Sequence, residues 1–307
     1  MSPVLSWGLD FVRGVQKFFG PGMLVPMQMI TILGSEFFAL AALPLIYWCV
    51  DRKKGARIGI VVLFSAFFNL WCKILFRQPR PYDFDTTVGL IRENTFGLPS
   101  GHAQMSITFW GAMLPLLSRV FGIVLFLTLP LAVGLSRLYL GVHFPTDLLG
   151  GWLLGGIVLG LFYGFSARIE SALGKLNLRQ RIIAVSAVSL LMNLLMPSDT
   201  LLSGAFFGSA AGFALASKNL RFKAGGALKQ KITRYVVGIV GLVVLYLGPK
   251  LILGESLGSE QTLIRFLRYG IIGFWVSYGG PWCFLKLKLI ALEPPVEKAP
   301  EVQSLNV

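Results

Sequence analysis

The chain holds two histidines among 307 residues, His102 and His143, and each stands where a polar junction meets an apolar segment. His143 precedes Asp147 by four positions, the spacing at which a carboxylate in a first helical turn reaches back to an imidazole nitrogen and fixes its tautomer. An imidazole held this way is a nucleophile or a base. Shortly upstream, Arg137 supplies a planar, permanently charged fork suited to phosphate, and an arginine between apolar segments is costly unless an anion partners it. Two other stretches carry similar chemistry. Lys73, Arg77 and Arg80 close one apolar segment, with Pro79 and Pro81 stopping the helix; the spacing predicts three cations at one edge. Pro99, Ser100, Gly101 and His102 open the next, placing a hydroxyl, an unobstructed N–H and an imidazole at a helix N-terminus, a ready anion site.

Together these groups fit the displacement of an alcohol from a phosphate ester. The ester phosphate carries about −1.5 to −2 charge near neutral pH. Lys73, Arg80, Arg137, the Ser100 hydroxyl and helix-end amides match that charge and the charge of the transition state. One histidine attacks phosphorus and the other protonates the leaving oxygen. His143 is the better nucleophile, because Asp147 holds its other nitrogen protonated; His102 is then the general acid. Two histidines and few carboxylates on that side make a poor divalent site, and the cations repel one, so neither metal nor cofactor is expected.

The elements that position these residues are apolar. Hydrophobic residues make up 55% of the chain, charged residues 14%, and mean hydropathy is +0.71, which leaves too little polar surface for a soluble globule. An all-α, polytopic transmembrane bundle is predicted, with about nine spans. Residues 1–20 read as an interfacial amphipathic helix, with Asp10, Arg13 and Lys17 on one face, and not as a signal peptide. Residues 21–167 carry the three motifs, 168–290 add further apolar segments, and 291–307 form a Pro/Glu/Lys-rich tail expected to be disordered. The first span is placed from Met23 to Val50 and the third from Ser100 to Arg119. The fifth repeats glycine at four-residue spacing (Gly151 and Gly155; Gly156, Gly160 and Gly164), a surface for close helix approach. Net charge is +14, in short basic blocks between apolar segments, which favours membrane topology over nucleic-acid binding. Those blocks fall on one side, the cytoplasm, so both histidines face the periplasm or lumen of an inner or ER-like membrane. The three cysteines are far apart and read as packing residues.

The pattern Lys73-x6-Arg80-Pro81, Pro99 to His102, and Ser136-Arg137-x5-His143-x3-Asp147 resembles the three signature motifs of the type 2 phosphatidic acid phosphatase superfamily at every defining position. The resemblance covers roughly Ile58 to Ala167. It implies a six-helix phosphatase core and a phosphohistidine mechanism with His143 as nucleophile, Asp147 as its orienter and His102 as acid and base. Lys73, Arg80, Ser100, Gly101 and Arg137 would bind phosphate. The implied substrate is a lipid phosphate drawn from the surrounding membrane: phosphatidate, a sphingoid-base phosphate or a polyprenyl diphosphate. Many bacterial members stop after six spans, whereas this chain continues through further apolar segments. The competing readings are a lipid-phosphate transporter or binding protein, a phosphotransferase using the same pocket, and a glucose-6-phosphatase-like sugar phosphatase. Hydrolysis is favoured because His143, His102 and Asp147 are all present.

Overall fold

A computed structural model describes residues 1–253 and 262–293, with side chains through 249 and from 262. Among the described residues the architecture is all-helical, and the one β feature is an isolated bridge between Phe222 and Leu292. Helix α1 (Pro3–Phe19) buries Leu9 and Val12 and exposes Trp7, Phe11 and Phe18. Next come α2 (Leu24–Ile32) and α3 (Glu36–Cys49), which together hold the expected first span. That span is not one straight helix: it bends by 42° at Leu33 to Ser35, where the Ser35 side chain caps α3 by accepting from Phe38 N. Gly34 makes the corner possible, because a Cβ there would meet His102 O at 2.8 Å and Val133 Cγ1 at 2.7 Å. The break therefore lets the backbone approach the start of the helix that carries His102.

Helix α4 (Arg52–Phe76) starts earlier than its apolar run, because Asp51 caps it by accepting from Lys54 N at 2.9 Å. A short α5 (Pro81–Phe84) follows Arg80, and a loop leads to α6 (Gly101–Met113). At 13 residues, or roughly 20 Å, α6 is shorter than the expected third span. Helices α7 (Arg119–Tyr139) and α8 (Pro145–Lys175) complete the motif-bearing part. The rest is α9 (Leu178–Leu195), α10 (Leu201–Asn219), α11 (Leu228–Leu253), α12 (Thr262–Phe274) and, after one π-helical turn, α13 (Gly280–Lys286).

Among the described residues, five helical stretches are long and apolar enough to cross a membrane: Arg52–Phe84, Arg119–Tyr139, Pro145–Lys175, Leu178–Leu195 and Leu228–Pro249. The bent α2–α3 pair makes six. Leucines and valines stand exposed along them, including Leu127 and Leu131 on α7, Leu153 and Leu161 on α8, and Val240 and Val244 on α11. Apolar surface of this extent needs lipid around it, and the protein is integral to a membrane.

Buried Ile58, Val61, Phe109 and Leu159 join α4, α6 and α8 in one core. Phe67, Met192 and Phe206 fasten α9 and α10 to α4, while Trp48, Phe222 and Phe284 fasten the C-terminal segments to α3. The α8 glycines divide. A Cβ at Gly151 would meet Ser100 O at 2.5 Å and one at Gly155 would meet Gln104 O at 2.8 Å, so both admit α6 closely. At Gly156, Gly160 and Gly164 nothing lies within 4 Å, so among the described residues these three receive no neighbouring helix. The start of the expected disordered tail is placed: Glu293 N donates to Arg221 O, and its carboxylate pairs with Arg52 at 3.3 Å. Positions 294–307 lie outside the described residues.

Candidate active site

His143 lies in the short turn between α7 and α8, directly before the helix whose first turn carries Asp147. Its Nδ1 is 3.1 Å from Asp147 Oδ2. The same oxygen accepts from Phe144 N at 2.9 Å, and Oδ1 accepts from Gln78 Nε2 at 2.5 Å. Asp147 is thus an acceptor toward all three partners, which puts the proton of His143 on Nδ1 and the lone pair on Nε2. That lone pair faces Arg80, whose Nη1 is 3.3 Å away. Both residues are buried, His143 at 1% exposure and Asp147 at 0%. Burial pushes the His143 imidazole well below its ordinary value, and Arg80, Arg137, Lys73 and His102 push it further, so the ring is neutral near pH 7.

Motif is tied to motif through the backbone. Ser100 N donates to Asp147 O at 2.9 Å, joining the start of α6 to the start of α8. The Ser100 hydroxyl accepts from Ala103 N at 3.4 Å as the cap of α6. Gly101 is close-packed, since a Cβ there would meet Asn69 Oδ1 at 3.1 Å. A buried polar chain locks α6 against α4: Asn69 Nδ2 donates to Gln104 Oε1 at 2.8 Å, Gln104 Nε2 donates to Ser65 O at 2.8 Å, and Ser65 Oγ bonds Thr108 Oγ1 at 2.9 Å. That register brings His102 to a cavity of ≈ 360 Å³ lined also by Lys73 and Glu93.

The cations are not equivalent. Arg80, 1% exposed, donates from Nε to Thr95 O at 2.6 Å, from Nη1 to Val142 O at 2.8 Å and from Nη2 to Thr95 Oγ1 at 3.0 Å. Lys73 is buried and bonds Phe96 O. Arg137, 1% exposed, donates from Nη1 to Thr31 Oγ1 at 3.0 Å, but its buried Nε has no hydrogen-bond partner among the described residues. Arg77 does not join them. It takes a left-handed conformation (φ 47) as the C-cap of α4, and its exposed side chain turns back to Ile74 O, so the edge holds two of the three expected cations, with Arg137 arriving from α7. Among the described residues no group of three or more His, Cys, Asp or Glu side chains is placed to hold a metal ion.

Sequence spacing missed Glu93. Its carboxylate bridges the site, with Oε2 2.8 Å from Arg80 Nη2 and Oε1 bonded to Arg137 Nη2. Burial alone would raise this carboxyl, but Arg137 and Arg80 outweigh it and hold Glu93 below the usual carboxylate range. The available signal was charge balance: the loop facing three predicted cations contains Asp83, Asp85 and Glu93, with no local pattern to choose among them. Asp83 accepts from Arg80 N, and Asp85 pairs with Arg13 of α1 at 2.6 Å.

A model described as the PAP2 superfamily matches residues 54–170, and one described as PAP2 superfamily phosphatase, transmembrane extension, matches 200–293. Phosphatidylglycerophosphatase B of Bacillus subtilis is 37% identical over 175 residues, a match covering 53% of this chain and 78% of that protein. The chain belongs to the PAP2 superfamily phosphatases. Undecaprenyl-diphosphatase of Sulfolobus acidocaldarius is 31% identical over 158 residues, covering 47% of this chain and 69% of that protein. Sphingosine-1-phosphate phosphatase 2 of Mus musculus is 27% identical over 147 residues, covering 45% of this chain; the match spans 41% of that relative's length. The PAP2 match takes in α4 to α8 up to residue 170, and with them every site residue proposed from the motifs, while the extension match takes in α10 to α13.

Proposed function

We propose that this PAP2 member removes phosphate from a membrane lipid phosphate through a phosphohistidine on His143. The observation that carries the reading is the buried Asp147–His143 pair, whose Nε2 lone pair points to Arg80 beside an incompletely bonded Arg137. Nε2 attacks phosphorus and forms the N–P bond as the P–O bond to the lipid alcohol breaks; protonated His102 gives its proton to the leaving oxygen. Water, deprotonated by His102, then attacks the phosphohistidine, and inorganic phosphate leaves with Nε2 restored. Lys73, Arg80, Arg137, Ser100 and the Gly101 N–H stabilise the equatorial oxygens. These fixed cations supply the charge a divalent metal would otherwise bring, so no metal is required.

Phosphatidate, a sphingoid-base phosphate and a polyprenyl diphosphate share the head this site binds. Lipid is favoured over glucose 6-phosphate because the ≈ 360 Å³ cavity beside His102 is lined by apolar Phe37, Leu70, Met105, Leu201 and Leu202 together with Lys73 and Glu93. The domain reading follows: α1 lies at the interface, α2 to α8 form the phosphatase core, and α9 to α13 add further crossings, about nine in all if α6, α10 and α12–α13 also traverse the bilayer. The basic blocks support a periplasmic or lumenal face for His102 and His143.

The test is phosphate release by purified protein, with EDTA present, from phosphatidate, a sphingoid-base phosphate, undecaprenyl diphosphate and glucose 6-phosphate, beside His143→Ala. The reading expects release from one lipid class and its loss in the variant. Equal release from both proteins, or release only after a divalent metal is added, counts against it.

A further inference from the structure

Glu93 sits where a substrate phosphate would. Its two oxygens reach one guanidinium each, on Arg80 and Arg137, and both arginines are almost wholly shielded from water. Its backbone is pinned to Tyr82, whose hydroxyl donates to Glu93 O at 2.8 Å and accepts from Glu93 N at 3.2 Å, with Arg92 stacked over the ring. The side chain is the movable part, and at 25% exposure it already has a path to water. Glu93, Lys73 and Thr95 line both of two cavities, of ≈ 520 Å³ and ≈ 360 Å³.

We propose that Glu93 is an internal competitor that sets an affinity threshold for the site: its carboxylate fills the phosphate cradle of the empty enzyme and is displaced by a tightly held phosphomonoester or diphosphate but not by a weakly held phosphodiester. The inference rests on the reading of Arg80 and Arg137 as phosphate ligands. A carboxylate offers one charge and two oxygens, and it leaves Arg137 Nε without a partner. A phosphomonoester brings about −1.5 to −2 charge and three terminal oxygens, enough to replace both Glu93 contacts and to engage Nε and Lys73 as well. A phosphodiester brings one charge and two free oxygens, which is what Glu93 already provides, so displacing it gains nothing. Bulk membrane phospholipids are phosphodiesters packed at high density around the protein. Without an internal competitor the three buried cations would be occupied by non-substrate lipid, and Glu93 prevents this by lowering the cradle's apparent affinity for every anion by the same factor, which leaves a weakly held diester unbound and a tightly held monoester bound.

The experiment is equilibrium binding by calorimetry on the full chain in detergent, with inorganic phosphate and short-chain phosphatidylglycerol as probes, for wild type, Glu93→Gln and Glu93→Asp. Binding needs no turnover, so the result is separate from the fate of the phosphohistidine mechanism. Glu93→Gln is expected to bind phosphate about tenfold more tightly and phosphatidylglycerol to gain by the same factor, so that diester binding too weak to detect in wild type becomes measurable. Glu93→Asp is one methylene too short to bridge both arginines and should show a smaller gain in the same direction; it carries the test if the Gln variant does not fold. Unchanged or weaker binding of both probes by a variant that melts like wild type overturns the proposal. Phosphate binding by none of the folded proteins overturns the cradle assignment first and the proposal with it.

Discussion

Arg137 and Arg234, one in each half of the chain, are both buried, with contrasting surroundings. Arg234 closes its guanidinium with backbone carbonyls alone: Nη1 donates to Trp48 O and Ala224 O, both at 2.9 Å, Nη2 to Gly225 O at 2.6 Å, and Nε to Gln230 O at 3.3 Å. Arg137 has a threonine hydroxyl, a movable carboxylate and an Nε with no partner. A buried cation whose three nitrogens all donate to fixed carbonyls is a structural tie. One left partly unsatisfied, with an exchangeable carboxylate as its anionic partner, fits the phosphate-binding role proposed for Arg137. The same contrast separates the two regions: α4 to α8 concentrate buried charge at one end, whereas α9 to α13 are held by close helix packing and by Arg234.

The largest effect expected within this comparison is at His143, the proposed nucleophile. His143→Ala should lower kcat by more than about a thousandfold, measured as phosphate release, with a melting temperature near that of wild type. Exchanging the two arginines' side chains for lysine separates the roles. Arg137→Lys should lower kcat/KM by about a hundredfold or more at little cost in stability, as expected for loss of one transition-state donor set. Arg234→Lys should leave kcat unchanged and lower stability by about 1–3 kcal/mol, because several buried carbonyls lose their donor; thermal unfolding monitored by tryptophan fluorescence reads this. If Arg234→Lys cut turnover and spared stability, the distinction between the regions would be wrong.

Packing gives a smaller effect confined to the second region. A Cβ at Gly208 would lie 1.8 Å from Gly270 O across the α10–α12 contact, so Gly208→Ala should cost about 1–3 kcal/mol. Gly156→Ala, where nothing lies within 4 Å, should be neutral or slightly stabilising in the same unfolding assay. The smallest effect is expected at the Arg13–Asp85 pair that ties α1 to the outer loop. Hydrogen bonds from Thr87, then Arg13, hold Asp85 at about 2. A carboxyl lowered on folding stabilises above its ordinary value and loses that contribution as pH falls toward the folded value. In Arg13→Ala the folded value lies closer to the unfolded one, so melting temperature should fall less than in wild type as pH drops from about 4 toward 2.

Much of the site was legible because helix periodicity fixes local geometry: the four-residue step from His143 to Asp147 became a 3.1 Å contact, and Ser100 became the cap of α6. Membrane residence was equally plain from composition. What spacing did not reveal depends on chain reversal and tertiary approach. Arg77 left the face it shared with Lys73 because the C-cap turned it into a left-handed conformation. The first span broke at Gly34 because only a residue without Cβ fits against His102 O. Glu93 came to the cradle through a loop with no period, anchored by a Tyr82 contact that no local pattern announces. The ladder of Gly204, Gly208 and Gly212 carries a four-residue repeat like that of α8, but which repeat receives a partner is settled by topology, here the close approach of α12.

The most direct test of the central claim is isolation of the phosphoenzyme. Wild type turning over a 32P-labelled lipid phosphate, quenched in alkaline detergent where phosphohistidine survives, should carry acid-labile label on the peptide containing His143, and His143→Ala should carry none. Label on another residue, or undiminished turnover by His143→Ala, would contradict the account.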